Sequence, residues 1–162
     1  MFRKFGMKAG LLLVALVLAV IVAETSYALD RDKERLGAGA ILGEPTGISA
    51  KYWLDRDSAV DGAASWSLLG LGGLGFHADY LYHFNEIVKT RDFTIPIYVG
   101  VGGRVVISST IGAGVRIPLG ATYLFPQYPL DVFLEIVPGI DLLPSTVFAG
   151  GGGIGIRYYF RM

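Results

Sequence analysis

The chain has 162 residues, of which 14 are basic and 14 acidic, with no cysteine, 23 glycines and 52% hydrophobic residues. That length suits one domain, zero formal charge without a Lys/Arg cluster excludes a nucleic-acid footprint, and the lack of cysteine excludes disulfide scaffolds, thiolate metal sites and cysteine catalysis. A chain this apolar and glycine-rich, with no long apolar run beyond its start, suits a membrane β-barrel better than a soluble domain.

Arg3, Lys4 and Lys8 form a basic start, Leu11 to Ala23 is an unbroken apolar run of 13, and Ser26 and Ala28 put small residues at the −3 and −1 positions of a cleavage site. This pattern predicts a signal peptide over 1–28 and an outer-membrane β-barrel domain over 29–162. A transmembrane anchor is the competing reading, but such a run covers only about 20 Å of a hydrocarbon core roughly 30 Å thick. Cleavage leaves 11 basic and 13 acidic residues, a nearly neutral exported protein.

After a charged lead-in from Asp30 to Arg35, the chain breaks at Gly43 to Gly47, Asp55 to Ser58, Leu69 to Gly73, Glu86 to Phe93, Ser108 to Thr110, Pro126 to Pro129 and Pro144 to Ser145. Seven breaks define eight segments, several of them rich in Val, Ile, Tyr and Phe and none fitting a helical period. Lys51, Asp61, Ser65 and Ser67 share the polar face of the first three. In the fourth, Leu74, Phe76, Ala78, Tyr80, Tyr82 and Phe84 oppose Gly75, His77, Asp79, Leu81, His83 and Asn85. The fifth sets Ile97, Val99, Val101 and Val105 against Tyr98, Gly100, Gly102 and Arg104. The sixth, continuous from Ile111 to Phe125, places Gly112, Gly114, Arg116, Gly120 and Thr122 on its polar face. Asp131, Glu135, Gly139 and Asp141 follow in the seventh, and Gly151, Gly153, Gly155 and Arg157 in the eighth.

Alternation alone does not say which face is inside, since a soluble lipocalin-like barrel hides its apolar face. An eight-stranded barrel holds only modest side chains, so the bulky face is expected outward, against lipid, with no free sheet edge. The expected fold is all-β: an eight-stranded antiparallel transmembrane β-barrel. Trp53, Tyr82, Phe84, Tyr123, Phe125, Tyr158 and Phe160 near segment ends are expected to form interfacial girdles. Charge on the outward face, as in Val99→Asp or Leu134→Arg, is expected to block assembly, and substitution of Gly73 to do far less.

The lumen is then expected to hold a closed polar network of Lys51, Asp61, His77, Asp79, Arg104, Arg116, Asp131, Glu135, Asp141 and Arg157. A tight turn at Pro144 sets Arg157 opposite Asp131 as a direct ion pair, and a turn at Gln127 to Pro129 sets Arg116 opposite Asp141.

Three stretches, Gly37 to Trp53, Ala59 to Trp66 and His77 to His83, resemble a family of small bacterial outer-membrane β-barrels of unassigned function, likened to the OmpA transmembrane domain and including spirochaete surface proteins. Gly155, Tyr158 and Phe160 are similar to the C-terminal signal read by the outer-membrane assembly machinery, although Arg161 and Met162 follow the aromatic that usually ends the chain. The resemblance implies outer-membrane lipid and that machinery as partners, and brings no catalytic residues.

His77 and Asp79 have the spacing to share a metal or a proton, with any third ligand supplied by a neighbouring strand. The reading adopted is a buried polar network without metal or cofactor. A lipid-modifying enzyme needs a nucleophile beside a base within reach of lipid, and no serine adjoins either histidine in sequence. Gly100 to Gly103 and Gly150 to Gly153 open no helix, as a phosphate loop would. The resulting expectation is a monomeric barrel with a structural or surface-interaction role, neither enzyme nor nucleic-acid binder; a lipid-modifying enzyme, a narrow pore and a soluble periplasmic barrel are the alternatives.

Overall fold

The computed structural model describes residues 35–66, 73–85, 87–88 and 95–161. The expected signal peptide lies outside them, as do Ser67, Leu69 and most of the Glu86 to Phe93 break. Every element among the described residues is a strand: β1 (Leu36–Glu44), β2 (Thr46–Trp53), β3 (Ser58–Trp66), β4 (Leu74–Phe84), β5 (Ile97–Ile107), β6 (Ile111–Arg116), β7 (Leu119–Leu124), β8 (Leu130–Leu143) and β9 (Val147–Phe160).

All pairings are antiparallel, and β1 pairs with β9 while β4 pairs with β5, so the sheet closes into a ring. Closure leaves no edge, and the backbone meets its own hydrogen-bonding needs. Nine strands occupy eight positions in that ring, because the sixth segment is cut in two. Pro118 has no N–H to give to the ladder, and its carbonyl instead accepts from Gly100 N at 2.8 Å. β6 and β7 keep one register against β5 on either side of it, Gly102 facing Arg116 and Tyr98 facing Gly120.

The register between β8 and β9 is the expected one, with Asp131 facing Arg157. The register against β8 is not. Arg116 faces Gly139 and Asp141 faces Gly114, a shift of two residues. The cause is Pro126, which cannot donate to the ladder and joins the turn, so the loop runs 126–129 and Phe125 N bonds Leu130 O at 3.0 Å. A shift of two preserves facing, so every charge stays inside.

Outward positions are mostly apolar, with bulky residues concentrated on β4, β5, β8 and the end of β9, and Leu134 and Ile136 are each 62% exposed. At the end of the barrel where β1 begins and β9 finishes, Tyr82 and Phe84, Tyr123 and Phe125, and Tyr158 and Phe160 form edge-to-face pairs at 4.9–5.3 Å. Trp53 departs from the girdle expectation. It shares the parity of Lys51, points inward, and packs with Ala59 and Tyr159 as a buried cluster closing that end. In the neighbouring turn, Asp55 Oδ1 accepts from the N–H groups of Asp57 (2.8 Å) and Ser58 (2.7 Å). Those bonds hold its carboxyl below the usual carboxylate range.

At Gly73 the φ of +121° suits glycine, and a Cβ there would lie 2.9 Å from Ile107 O, so its substitution carries a local strain. Leu134→Arg puts a charge on the outer surface at an expected cost of about 2–4 kcal/mol in a bilayer. Heat-modifiability gels are expected to show loss of the folded band for Leu134→Arg and Val99→Asp; folded yields equal to the parent would contradict the facing.

Candidate functional site

Three large side chains enter the lumen opposite a glycine on a neighbouring strand. Phe133 faces Gly155, Tyr159 faces Gly37, and Leu81 faces Gly100. A Cβ on Gly155 would meet the Phe133 ring, and one on Gly37 would lie 2.7 Å from the Tyr159 ring.

Four polar pairs use glycine one strand further out: their partners lie on strands that flank a glycine and meet above it. Arg104 and Asp141 both face Gly114, and join through Nε to Oδ1 at 2.7 Å and a second Nη2 to Oδ2 contact. Asp79 and Arg116 both face Gly102, with Arg116 Nε 3.1 Å from Asp79 Oδ2. Tyr98 and Glu135 both face Gly120, and the phenol donates to Oε2 at 2.8 Å. Arg157 and Ser49 both face Gly39, and Nε donates to Oγ at 2.9 Å.

Of the two expected pairs, one is present and the other is not. Arg157 and Asp131 are opposite one another and form a long ion pair, Nη1 to Oδ2 at 3.8 Å, while the shorter bond from Arg157 runs to Asp61 Oδ2 at 2.8 Å. Asp131 also accepts from the Tyr159 hydroxyl at 2.7 Å. The Arg157 guanidinium also lies 3.8 Å above the Phe133 ring centroid, a cation–π contact. Arg116 divides its guanidinium between Asp79 and Glu135, the latter at 3.1 Å. Asp141 belongs to Arg104, not Arg116.

Lys51 is buried beside Trp53, with Nζ 4.2 Å from the ring centroid and 2.8 Å from His83 Nε2. An ammonium only donates, so His83 Nε2 accepts, and its Nδ1–H points to Asp57 O at 3.2 Å. His77 lies further along β4, 3.9 Å from Asp79. All ten residues read from the sequence as lumen groups thus face the interior. Trp53, Tyr98, Phe133 and Tyr159 share it with them, although only Tyr98 was assigned to that face from sequence. Parity was the available signal: Phe133 sits between Asp131 and Glu135, and Tyr159 two residues after Arg157. Gly155, read as part of an assembly signal, seats Phe133, while Tyr158 and Phe160 point outward.

The lumen is asymmetric. Aromatic rings fill the end holding Leu36 and Phe160, and the other end is a cavity of about 480 Å³ bounded by Glu44, Ser65, His77, Arg104, Arg116 and Asp141.

Arg157 is 1% exposed and Asp131 fully buried. Truncating Arg157 leaves Asp61 and Asp131 without their cation, so Arg157→Met is expected to cost about 3–5 kcal/mol, and the double variant with Asp61→Leu to cost less. Urea unfolding in lipid vesicles measures both; a double variant as unstable as the sum of the singles would contradict the pairing. Gly102→Val is expected to part Asp79 from Arg116 and destabilise the barrel by about 1–3 kcal/mol, and an unchanged urea midpoint would contradict this role for Gly102.

No family model and no curated protein matches the chain. Among solved structures it is similar to the N-terminal β-barrel domain of Pseudomonas aeruginosa OprF, with a TM-score of 0.57 and 16% identity over 79% of this chain and 98% of that one. At that identity the likeness carries the fold: an antiparallel β-barrel of the kind the sequence resemblance implied.

Proposed function

We propose that the chain is a small, monomeric outer-membrane barrel with a structural or surface-interaction role, exported by its N-terminal signal and belonging with the small outer-membrane barrels it resembles in sequence. The observation that carries this reading is its inverted polarity. Leucine, isoleucine, valine and aromatic residues face outward, and Arg157, Asp131, Lys51 and Asp61 are buried inside. Water outside would oppose that arrangement, whereas lipid outside favours it. Its edge-to-face aromatic pairs at one end fit an interfacial girdle.

The apolar surface continues to the tips of the opposite hairpins, where Phe148 is 79% exposed and Leu42, Ile111 and Leu143 are also exposed. With both termini in the periplasm, those tips lie low in the outer leaflet, which argues against an adhesin that presents large loops. The aromatic plug and the paired charges argue against a wide channel. A lipid-modifying activity is disfavoured by the histidines: His83 is held by Lys51 and Asp57, and Ser65, which shares a cavity with His77, donates to Gly75 O at 3.3 Å.

Cell fractionation with a heat-modifiability gel tests the assignment. The expected result is an outer-membrane protein whose mobility changes on boiling; a soluble periplasmic protein without that change would overturn it. Planar-bilayer recordings are expected to show no steady large openings, and sustained conductance would contradict a closed lumen.

A further inference from the structure

Asp61 and Asp79 face each other directly across β3 and β4, inside the barrel and buried. Like charges directly opposite oppose strand pairing, and the guanidiniums relieve this only in part. Arg157 takes Oδ2 of Asp61 at 2.8 Å, and Arg116 approaches Oδ2 of Asp79 at 3.1 Å. Oδ1 of each carboxylate is left buried without a hydrogen-bond partner. His77, two residues from Asp79 on the same face, completes a trio whose donor atoms all lie within 4.8 Å of one another.

We propose that Asp61, His77 and Asp79 form a binding site for one divalent transition-metal ion of the zinc class at the floor of the lumen cavity. The ionised groups around the trio carry a net negative charge. Asp61, Asp79, Asp131 and Glu135 face Arg116 and Arg157 as the shared cations, with Lys51 opposite Asp61, while Arg104 is engaged by Asp141. Four carboxylates against three cations leave a negative excess beside the orphaned oxygens. One imidazole and two carboxylates suit zinc, copper or nickel better than magnesium or calcium, which favour oxygen ligands alone. Three protein ligands leave a further position for water, as in open zinc sites. Donors around a tetrahedral ion sit about 3.4 Å apart, so small side-chain rotations close the trio. The ion has a route in, because His77 and Arg116 line the cavity. Once bound, it would tie β3 to β4 where their charges repel.

This proposal does not depend on the outer-membrane assignment and is tested on the full chain folded in detergent micelles and stripped with EDTA. Calorimetric titration with zinc chloride is expected to show one equivalent bound, weakened at least tenfold in His77→Gln and in Asp61→Asn. Glu44→Gln, which removes a carboxylate bordering the cavity but outside the trio, is expected to bind zinc as the parent does. Titration with copper(II) is expected to give an electron paramagnetic resonance signal split by one imidazole nitrogen and lost in His77→Gln. The chain has two histidines, so a nitrogen signal that survives His77→Gln would belong to His83 and overturn the proposal. Zinc binding left intact by His77→Gln, or no saturable uptake by the folded parent, would also overturn it. Among the described residues the polar contact of His77 is a long one with Asp79, so its replacement is expected to leave the fold in place, which makes this variant the deciding one.

Discussion

The interior of an eight-position barrel is narrow, and much of the packing of this lumen follows from that limit. Glycine relieves it twice over. Opposite an aromatic ring it provides the volume the ring occupies, as Gly155 does for Phe133. Between two polar residues it lets their side chains meet across an intervening strand, as Gly102 does for Asp79 and Arg116 and Gly114 does for Arg104 and Asp141. The lumen-facing glycines are therefore much of the reason a charged lumen can close.

Burying so many ionised groups costs several kcal/mol each unless partners surround them, and here the partners are shared. Arg157 serves Asp61, Asp131 and Ser49, and Arg116 serves Asp79 and Glu135. The tyrosine hydroxyls of Tyr98 and Tyr159 supply the remaining donors to Glu135 and Asp131. These contacts bind β2, β3, β4, β5, β6, β8 and β9 through their side chains as well as their backbones. Of the carboxylate oxygens left over, those of Asp61 and Asp79 lie beside His77, which borders the open half of the lumen.

Much of this was legible in the chain itself. The two-residue alternation of Asp131, Glu135 and Arg157 with their bulky neighbours places each of those residues inside, and the turn at Pro144 places Arg157 opposite Asp131. What escaped sequence reasoning was contact across a strand. Facing is a property of one strand, whereas the Arg104–Asp141 pair depends on three, including the bulge between Ala113 and Gly114. Pro118 and Pro126 had visible physical effects that the segment pattern passed over: one divides a strand, and the other lengthens a turn and slides the register by two. Trp53 shows a different limit. Its parity placed it inside with Lys51, but a preference for aromatic residues at lipid interfaces pointed the other way, and packing against Ala59 and Tyr159 prevailed.

The central claim is that this barrel is inside-out relative to a soluble protein, and the lack of cysteine makes it directly measurable. Single cysteines along β8, spin-labelled in lipid vesicles, report whether each position meets dissolved oxygen, which concentrates in lipid, or a water-soluble nickel complex. The account predicts high oxygen and low nickel accessibility at 134, 136 and 140, alternating with low accessibility to both at 131, 133 and 135. High nickel accessibility at 134 and 136, or the absence of a two-residue period, would contradict it.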